Sequence, residues 1–152
     1  MSNKEKFEQL KNSASLLDTN ELDAFYDTLE PVSLNEILGE WKGDQLKTGH
    51  AVVATLQAIR WYGKTFISQL EAKPLICKDA DGNFYSDTTS MKGEASLWPI
   101  DFRGKVSTSM IYDGVPVLAH FRKVNSNTLV AIMDGKDVLD QGKHFYFFLE
   151  RI

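Results

Sequence analysis

The amino-acid sequence predicts a mainly β protein of the α+β class, in which an antiparallel meander closes into a β-barrel with N-terminal helices packed on it. After residue 93 the chain consists of extended apolar segments separated by tight turns at 103–104, 113–114 and 126–127. The last segment, 145–149, is apolar on both faces, so one face fits a barrel interior and the other needs a cover. The first 38 residues carry helical rather than strand periodicity, and they supply that cover.

Three helices are predicted in the N-terminal lead. Apolar residues over 7–17 recur at spacings of three and four, which predicts a first helix. A second helix is predicted to begin after Asp18 and to end before Pro31. Ser33 and Glu36 form a capping box that begins a short third helix, which Gly39 ends.

The remainder of the chain is predicted to be strands with one further helix. Thr48 is a candidate cap for this helix, whose apolar stripe includes Val52 and Leu56. The predicted extended segments are 39–46, 65–67, 74–77, 84–85, 95–102, 106–112, 115–124, 128–133 and 144–151. Five late strands and three or four earlier ones are enough to close, or nearly close, a barrel.

Length and charge narrow the class of protein. The 152 residues fit one domain, divided into a helical lead (1–38), a middle part (39–92) and C-terminal antiparallel strands (93–152). A net charge of −4 argues against a nucleic-acid partner. The single cysteine, Cys77, excludes an intrachain disulfide and favours a reducing compartment. The sequence shows no secretory signal and no transmembrane segment, so a cytoplasmic protein is expected.

The sequence contains no recognisable motif for binding a metal or a cofactor. The three histidines, at 50, 120 and 144, lie far apart in sequence and lack zinc-ligand spacing. No phosphate-binding glycine loop occurs either. We therefore expect no metal and no cofactor.

The stretch around Trp41 organises the middle of the chain. Gly39 and Gly43 bracket this tryptophan, and glycine permits close approaches that a Cβ would forbid. Trp41 is predicted to have a structural role, because a buried tryptophan that fills one end of the barrel is a sufficient reason for a tryptophan at this position. Arg151 is its expected partner by cation–π stacking, with Arg122 as the second choice.

Seven residues are candidate ligand-binding groups. Two interpretations remain for His50. It is either a buried histidine whose hydrogen bonds are satisfied within the protein or a polar group that points into a cavity. Lys64 likewise either lies along apolar surface or contacts an acidic ligand. His120 and Arg122 share one face of a strand, where they offer a cation and an imidazole if that face is interior and are solvated if it is exterior. The remaining candidates are Trp61, Tyr62 and Tyr112.

The motifs, taken in order, resemble the bacterial and plant GXWXG-motif family, in which this motif precedes a second domain of unknown function. The resemblance covers roughly residues 22 to 152. It implies no established activity. The residues that carry it are Gly39-Glu40-Trp41-Lys42-Gly43, Thr48-Gly49-His50, Trp61-Tyr62-Gly63-Lys64, Pro74-Leu75, Gly104-Lys105-Val106, Met110-Ile111-Tyr112-Asp113, His120-Phe121-Arg122-Lys123, Met133-Asp134 and Phe147-Phe148-Leu149-Glu150-Arg151.

A weaker likeness is to the calycins, the lipocalins and fatty-acid-binding proteins. Lipocalins open their barrel with Gly-x-Trp, whose tryptophan packs on an arginine of the last strand. Trp41 and Arg151 hold the equivalent places in chain order. This likeness implies a calycin-like barrel.

These features lead to three functional hypotheses. The first is a barrel cavity that binds a small hydrophobic or amphipathic ligand, a fatty acid or an acidic phospholipid, with no catalytic residue. The second is an acid–base enzyme that uses His50, His120 and either Asp113 or Asp134. The third is a filled barrel whose exterior docks a protein partner. A homodimer is an alternative way to cover the last strand.

Overall fold

The computed structural model describes residues 1–152, which form four helices and ten strands. The helices are α1 (Asn3–Lys11), α2 (Thr19–Thr28), α3 (Leu34–Ile37) and α4 (Val52–Ala58). None of them combines the length and apolar character that crossing a membrane requires. The strands are β1 (Glu30–Pro31), β2 (Gly39–Gln45), β3 (Trp61–Ser68), β4 (Glu71–Lys78), β5 (Phe84–Ser86), β6 (Ala95–Phe102), β7 (Lys105–Tyr112), β8 (Val117–Asn125), β9 (Thr128–Gly135) and β10 (Tyr146–Arg151).

Eight of the strands close into an antiparallel meander barrel, which confirms the predicted fold class. They follow one another around the ring as β2, β3, β4, β6, β7, β8, β9 and β10, and β10 pairs back with β2. The two short strands lie outside the ring, where β1 pairs with β8 and β5 pairs with β4. The join between β4 and β6 is the weakest, with Ala72 and Ala95 as its only paired residues.

Two of the predicted short segments are parts of longer strands. The segments 65–67 and 74–77 belong to β3 and β4, which have eight residues each. The hairpin that they form contains register shifts, including shifts on both sides of Gly63. Bulges of this kind break the alternation of inward and outward side chains, so the sequence pattern there was too irregular to predict the full strands.

The predicted helix ends also needed correction. The first helix ends at Lys11, and Ala14 is exposed. Thr48 does not cap α4, because Ala51 occupies the N-cap position without a side-chain hydrogen bond. The Nδ1 atom of His50 instead accepts a hydrogen bond from the Val52 N–H at 3.1 Å.

Helices α1 and α2 cover the outer face of the last strands. Side chains of β10 alternate, so that Phe147 and Leu149 lie in the barrel core while Tyr146 and Phe148 lie in a second cluster outside it. The Phe7 ring meets Phe148 edge-on at 5.3 Å. The helical side of this outer cluster comprises Phe7, Leu10, Leu22, Phe25, Tyr26 and Leu29.

We expect a chain lacking residues 1–30 to expose this outer face. Tyr146, Phe148, Val130 and Ile132 would lose their cover, which leaves a contiguous apolar patch. The truncated protein should therefore bind an apolar fluorescent dye or form oligomers, as measured by dye fluorescence and size-exclusion chromatography. A truncated chain that stays monomeric and dye-silent would show that these helices are not the cover.

Trp41 fills one end of the barrel. Its indole N–H donates to the Ile37 carbonyl at 2.8 Å, and the Arg151 guanidinium lies 4.1 Å from its ring. Arg151 also donates to the carbonyls of Leu38 and Glu36 at 3.0 and 2.7 Å, which fastens α3 across this end. Gly39 has a φ of +129°, and a Cβ there would lie 2.8 Å from the Arg151 Nη1. The first motif glycine thus makes room for the arginine.

Candidate functional site

An apolar cavity lies inside the barrel beneath α4, at the end opposite Trp41. Its volume is about 80 Å³. Eleven of its 14 lining residues are hydrophobic, and Lys64 is the only charged one. The barrel is therefore filled at one end and hollow at the other. The lining residues are Val52, Thr55, Leu56, Ile59, Trp61, Lys64, Leu75, Ser90, Met91, Tyr112, Ala119, Met133, Phe145 and Phe147.

Trp61 forms one wall of the cavity, and the absence of a side chain at Gly43 leaves room for its ring. A Cβ at Gly43 would lie 2.4 Å from the Trp61 ring, so only glycine lets the ring lie this close to β2. The indole N–H donates to the carbonyls of Gly63 and Pro74 at 2.9 and 3.1 Å. The ring also meets Phe147 edge-on at 5.9 Å. The second motif glycine therefore shapes the cavity.

Lys64 projects into the barrel core and is only 3% exposed. Its Nζ donates to the Pro74 carbonyl at 3.1 Å and lies 5.4, 5.8 and 5.2 Å from the ring centroids of Trp61, Tyr112 and Phe147. No carboxylate lines the cavity or forms an ion pair with Lys64. Burial lowers the pKa of Lys64 to about 7, because an ammonium is costly in an apolar environment.

Tyr112 supplies a second polar group to the cavity. Its hydroxyl makes no hydrogen bond within the protein. Burial raises the pKa of Tyr112, so its hydroxyl stays protonated at neutral pH and can donate. The cavity thus offers a ligand one amine and one phenol, besides the hydroxyl-bearing Thr55 and Ser90, on walls that are mostly apolar.

The structure places His50 and Tyr62 outside the cavity lining. The Nε2 of His50 lies 3.1 Å from the Val138 carbonyl, and with Nδ1 bonded to the Val52 N–H the ring is satisfied on both sides. His50 therefore holds the start of α4 over the cavity. Tyr62 lies on the outer surface, 4.6 Å from the Phe84 ring and 5.2 Å from the Lys78 Nζ.

His120 and Arg122 lie on the outer face of β8, so neither reaches the cavity. They are also not solvated, because α2 and Phe102 cover that face, and Arg122 is 1% exposed. The Arg122 guanidinium stacks 4.5 Å from the Tyr26 ring. It donates to three backbone carbonyls, those of Tyr26 at 3.1 Å, Phe102 at 2.8 Å and Arg103 at 3.3 Å. Arg122 ties α2 to the barrel.

One serine–histidine–aspartate row does form, on the outer face of β7, β8 and β9. Ser109 Oγ lies 2.7 Å from the His120 Nδ1, and His120 Nε2 lies 3.0 Å from the Asp134 Oδ2. The Phe102 ring stacks on His120 at 3.9 Å, and Ser109 is 1% exposed. Burial lowers the pKa of His120, against the opposing effect of Asp134. A substrate has no approach to Ser109, and His50 and Asp113 take no part in this row.

Several lining residues were not among the sequence candidates. Ala119 and Met133 are apolar types common to any core and carry no signal of their own. Phe145 and Phe147 had a usable signal, since alternation in the last strand placed them on one face. Met91 lies in the loop between β5 and β6, where no periodicity applies.

These features define an antiparallel meander β-barrel with a small apolar cavity and one buried amine. The GXWXG protein model matches residues 24–82, and the model of a domain of unknown function (DUF4334) matches residues 93–151. The chain belongs to the family in which the GXWXG domain is followed by this second domain. Curated protein sequences give no match.

A solved structure has the same fold over its full length. It is the crystal structure of a protein from Thermomonospora curvata, which is 36% identical to this chain. The match covers 100% of this chain and 99% of that chain, with a TM-score of 0.89.

Proposed function

We propose that this barrel binds a small amphipathic molecule, with the apolar part in the cavity and an anionic head group at Lys64. The observation that carries the proposal is one buried amine, without a carboxylate partner, on the wall of an apolar cavity. Binding sites for small molecules are concave and apolar with few placed polar groups. A fatty acid or an acidic phospholipid has this chemistry.

The charge of the head group follows from the surroundings of Lys64. An ammonium in this position has one carbonyl acceptor and no counter-ion. A ligand carboxylate or phosphate would supply the missing negative charge and a charge-assisted hydrogen bond. The Tyr112 hydroxyl can donate a second hydrogen bond to the same group. A cationic ligand would be repelled by the protonated lysine.

The size of the cavity favours a short chain. A volume of about 80 Å³ accommodates roughly five to eight water-sized spheres, at about 10–15 Å³ each. A short carboxylic acid such as hexanoic acid matches this space. A long acyl chain or a phospholipid tail requires α4 or the loop carrying Ser90 and Met91 to move outward.

We expect hexanoate to bind most tightly below pH 7. The carboxylate pairs with the protonated form of Lys64, and the protonated fraction of an amine of pKa about 7 falls as the pH rises. Between about pH 6 and about pH 8 this fraction drops roughly tenfold, while a carboxylic acid stays ionised throughout. The dissociation constant, measured by calorimetry or by the fluorescence of Trp61, should rise by about the same factor.

Lys64→Met provides the test of the amine. Losing one charge-assisted hydrogen bond should weaken hexanoate binding at about pH 6 by about ten- to a hundredfold and remove the pH dependence. The pKa of Lys64 is lowered on folding, so between about pH 7 and about pH 10 the unfolded chain binds a proton that the folded chain lacks. The resulting destabilisation grows as the pH falls through this range and is complete below about pH 7. Lys64→Met should therefore fold. Lys78→Met, which changes an exposed lysine, is the matched control. Equal binding by all three proteins would contradict the proposal.

A further inference from the structure

Lys64 is placed as a nucleophile as well as a cation. Its Nζ lies on the wall of a mostly apolar cavity, with one hydrogen bond to the Pro74 carbonyl and no ion pair. A carbonyl acceptor holds the nitrogen through N–H and leaves the lone pair of a neutral amine free. A lysine that is desolvated in a hydrophobic pocket is an activated nucleophile toward carbonyl compounds.

We propose that Lys64 captures a short apolar aldehyde as an imine within the cavity. The neutral amine attacks the carbonyl carbon, the C–N bond forms, and the carbonyl π electrons move to oxygen. A proton passes from nitrogen to that oxygen to give a carbinolamine. Loss of the hydroxyl with the second amine proton releases one water molecule and leaves C=N. This inference rests on the proposed function to the extent that the same cavity must admit an apolar chain.

The rest of the cavity favours the adduct. Its walls are mostly apolar and the Lys64 side chain is almost fully buried, so water has little access to hydrolyse the imine. The Tyr112 hydroxyl, which has no partner in the protein, can donate to the aldehyde oxygen. A pKa of about 7 leaves half of the Lys64 amine neutral at neutral pH.

The neighbouring thiol does not compete for the aldehyde. Burial raises the pKa of Cys77 to about 11, so it remains a protonated thiol at neutral pH. Its Sγ lies 3.5 Å from the Leu75 carbonyl, and its side chain does not line the cavity. Lys64 is therefore the nucleophile that an aldehyde in the cavity meets.

The test uses hexanal and borohydride, which reduces an imine to a stable secondary amine. We expect a single adduct whose added mass equals that of hexanal less one oxygen atom, and peptide mapping should place it on Lys64. Labelling at Lys64 should exceed that at Lys78 at least tenfold, because the Lys64 amine, with a pKa of about 7, is about half neutral at neutral pH and the cavity holds the aldehyde beside it. The yield should rise between about pH 6 and about pH 8, opposite to the binding of hexanoate.

Variants and a non-reactive analogue complete the experiment. Lys64→Met and Lys64→Arg should lose the adduct, and Lys78→Met should keep it. Lys78 is the matched control because its Nζ also lies over aromatic rings, those of Tyr62 and Phe84, but on the outer surface. Labelling spread over surface lysines, or labelling unchanged in both Lys64 variants, would overturn the inference. Calorimetry with hexanol and hexanoate separates the two proposals. If either compound binds but hexanal forms no adduct, only the proposal of imine formation is overturned. If neither compound binds and hexanal forms no adduct, the proposed function is overturned as well.

Discussion

Replacing Trp41 with alanine is expected to lower the free energy of unfolding by about 3–5 kcal/mol, as truncations of buried aromatic side chains do. Trp41 is 1% exposed and lies in the core cluster at the filled end of the barrel. The variant loses the hydrogen bond to the Ile37 carbonyl as well as the stacking with Arg151. It also leaves a cavity between α3 and the barrel end. Denaturant unfolding, followed by far-ultraviolet circular dichroism, measures the loss.

Trp98→Ala is the matched control for this effect. Trp98 is 40% exposed, and its indole N–H donates to the Ser96 hydroxyl on the surface of β6. Its removal should change the free energy of unfolding by less than about 1 kcal/mol. If Trp41→Ala kept the parent stability but lost hexanoate binding, Trp41 would belong to the ligand site rather than to the fold.

Replacing Arg122 with leucine is expected to destabilise the fold without weakening ligand binding. The change removes three hydrogen bonds from a charged donor, although the Tyr26 carbonyl keeps its bond from the Leu29 N–H. Hydrogen bonds to a charged group contribute about 1.5–3 kcal/mol each when buried, and the stacking on Tyr26 is lost as well, so a total of about 3 kcal/mol or more is expected in chemical denaturation. The dissociation constant for hexanoate should stay the same, because Arg122 lies on the outer face of the barrel wall.

A second charge change distinguishes this local effect from a change in net charge. Lys47→Leu removes one positive charge from an exposed residue and should alter the free energy of unfolding by less than about 0.5 kcal/mol. A stable Arg122→Leu protein with weakened hexanoate binding would instead restore Arg122 as a ligand-binding residue. Measuring both quantities on both variants therefore decides where Arg122 acts.

The fold was largely predictable because its signals are local. Turns at 103–104 and 126–127 separate strands of regular length, and the capping box at Ser33 begins α3. The alternation in β10 predicted one face for the core and one for a covering layer, which α1 and α2 provide. The bulged β3–β4 hairpin was only partly predicted, because its register shifts hide the period of two.

The candidate site was harder to predict, since it depends on which way each strand faces. Trp61, Lys64 and Tyr112 line the cavity, whereas His50, Tyr62, His120 and Arg122 do not. Sequence spacing correctly put His120 and Arg122 on one side of β8. It could not tell that this side faces α2, since that depends on the closure of the whole barrel.

The pattern of residues along the chain was enough to predict the meander and the covering helices. These follow from local backbone preferences and from the alternation of apolar side chains. The folded chain was needed to see that Trp41 fills one end of the barrel and that the space beneath α4 is hollow. The same holds for the cation of the cavity, which is Lys64 rather than Arg122. The register in which the barrel closes, together with the bulges in β3, fixes which side chains turn inward. The sequence does not reveal in which direction a polar side chain points, because both faces of a strand can carry one.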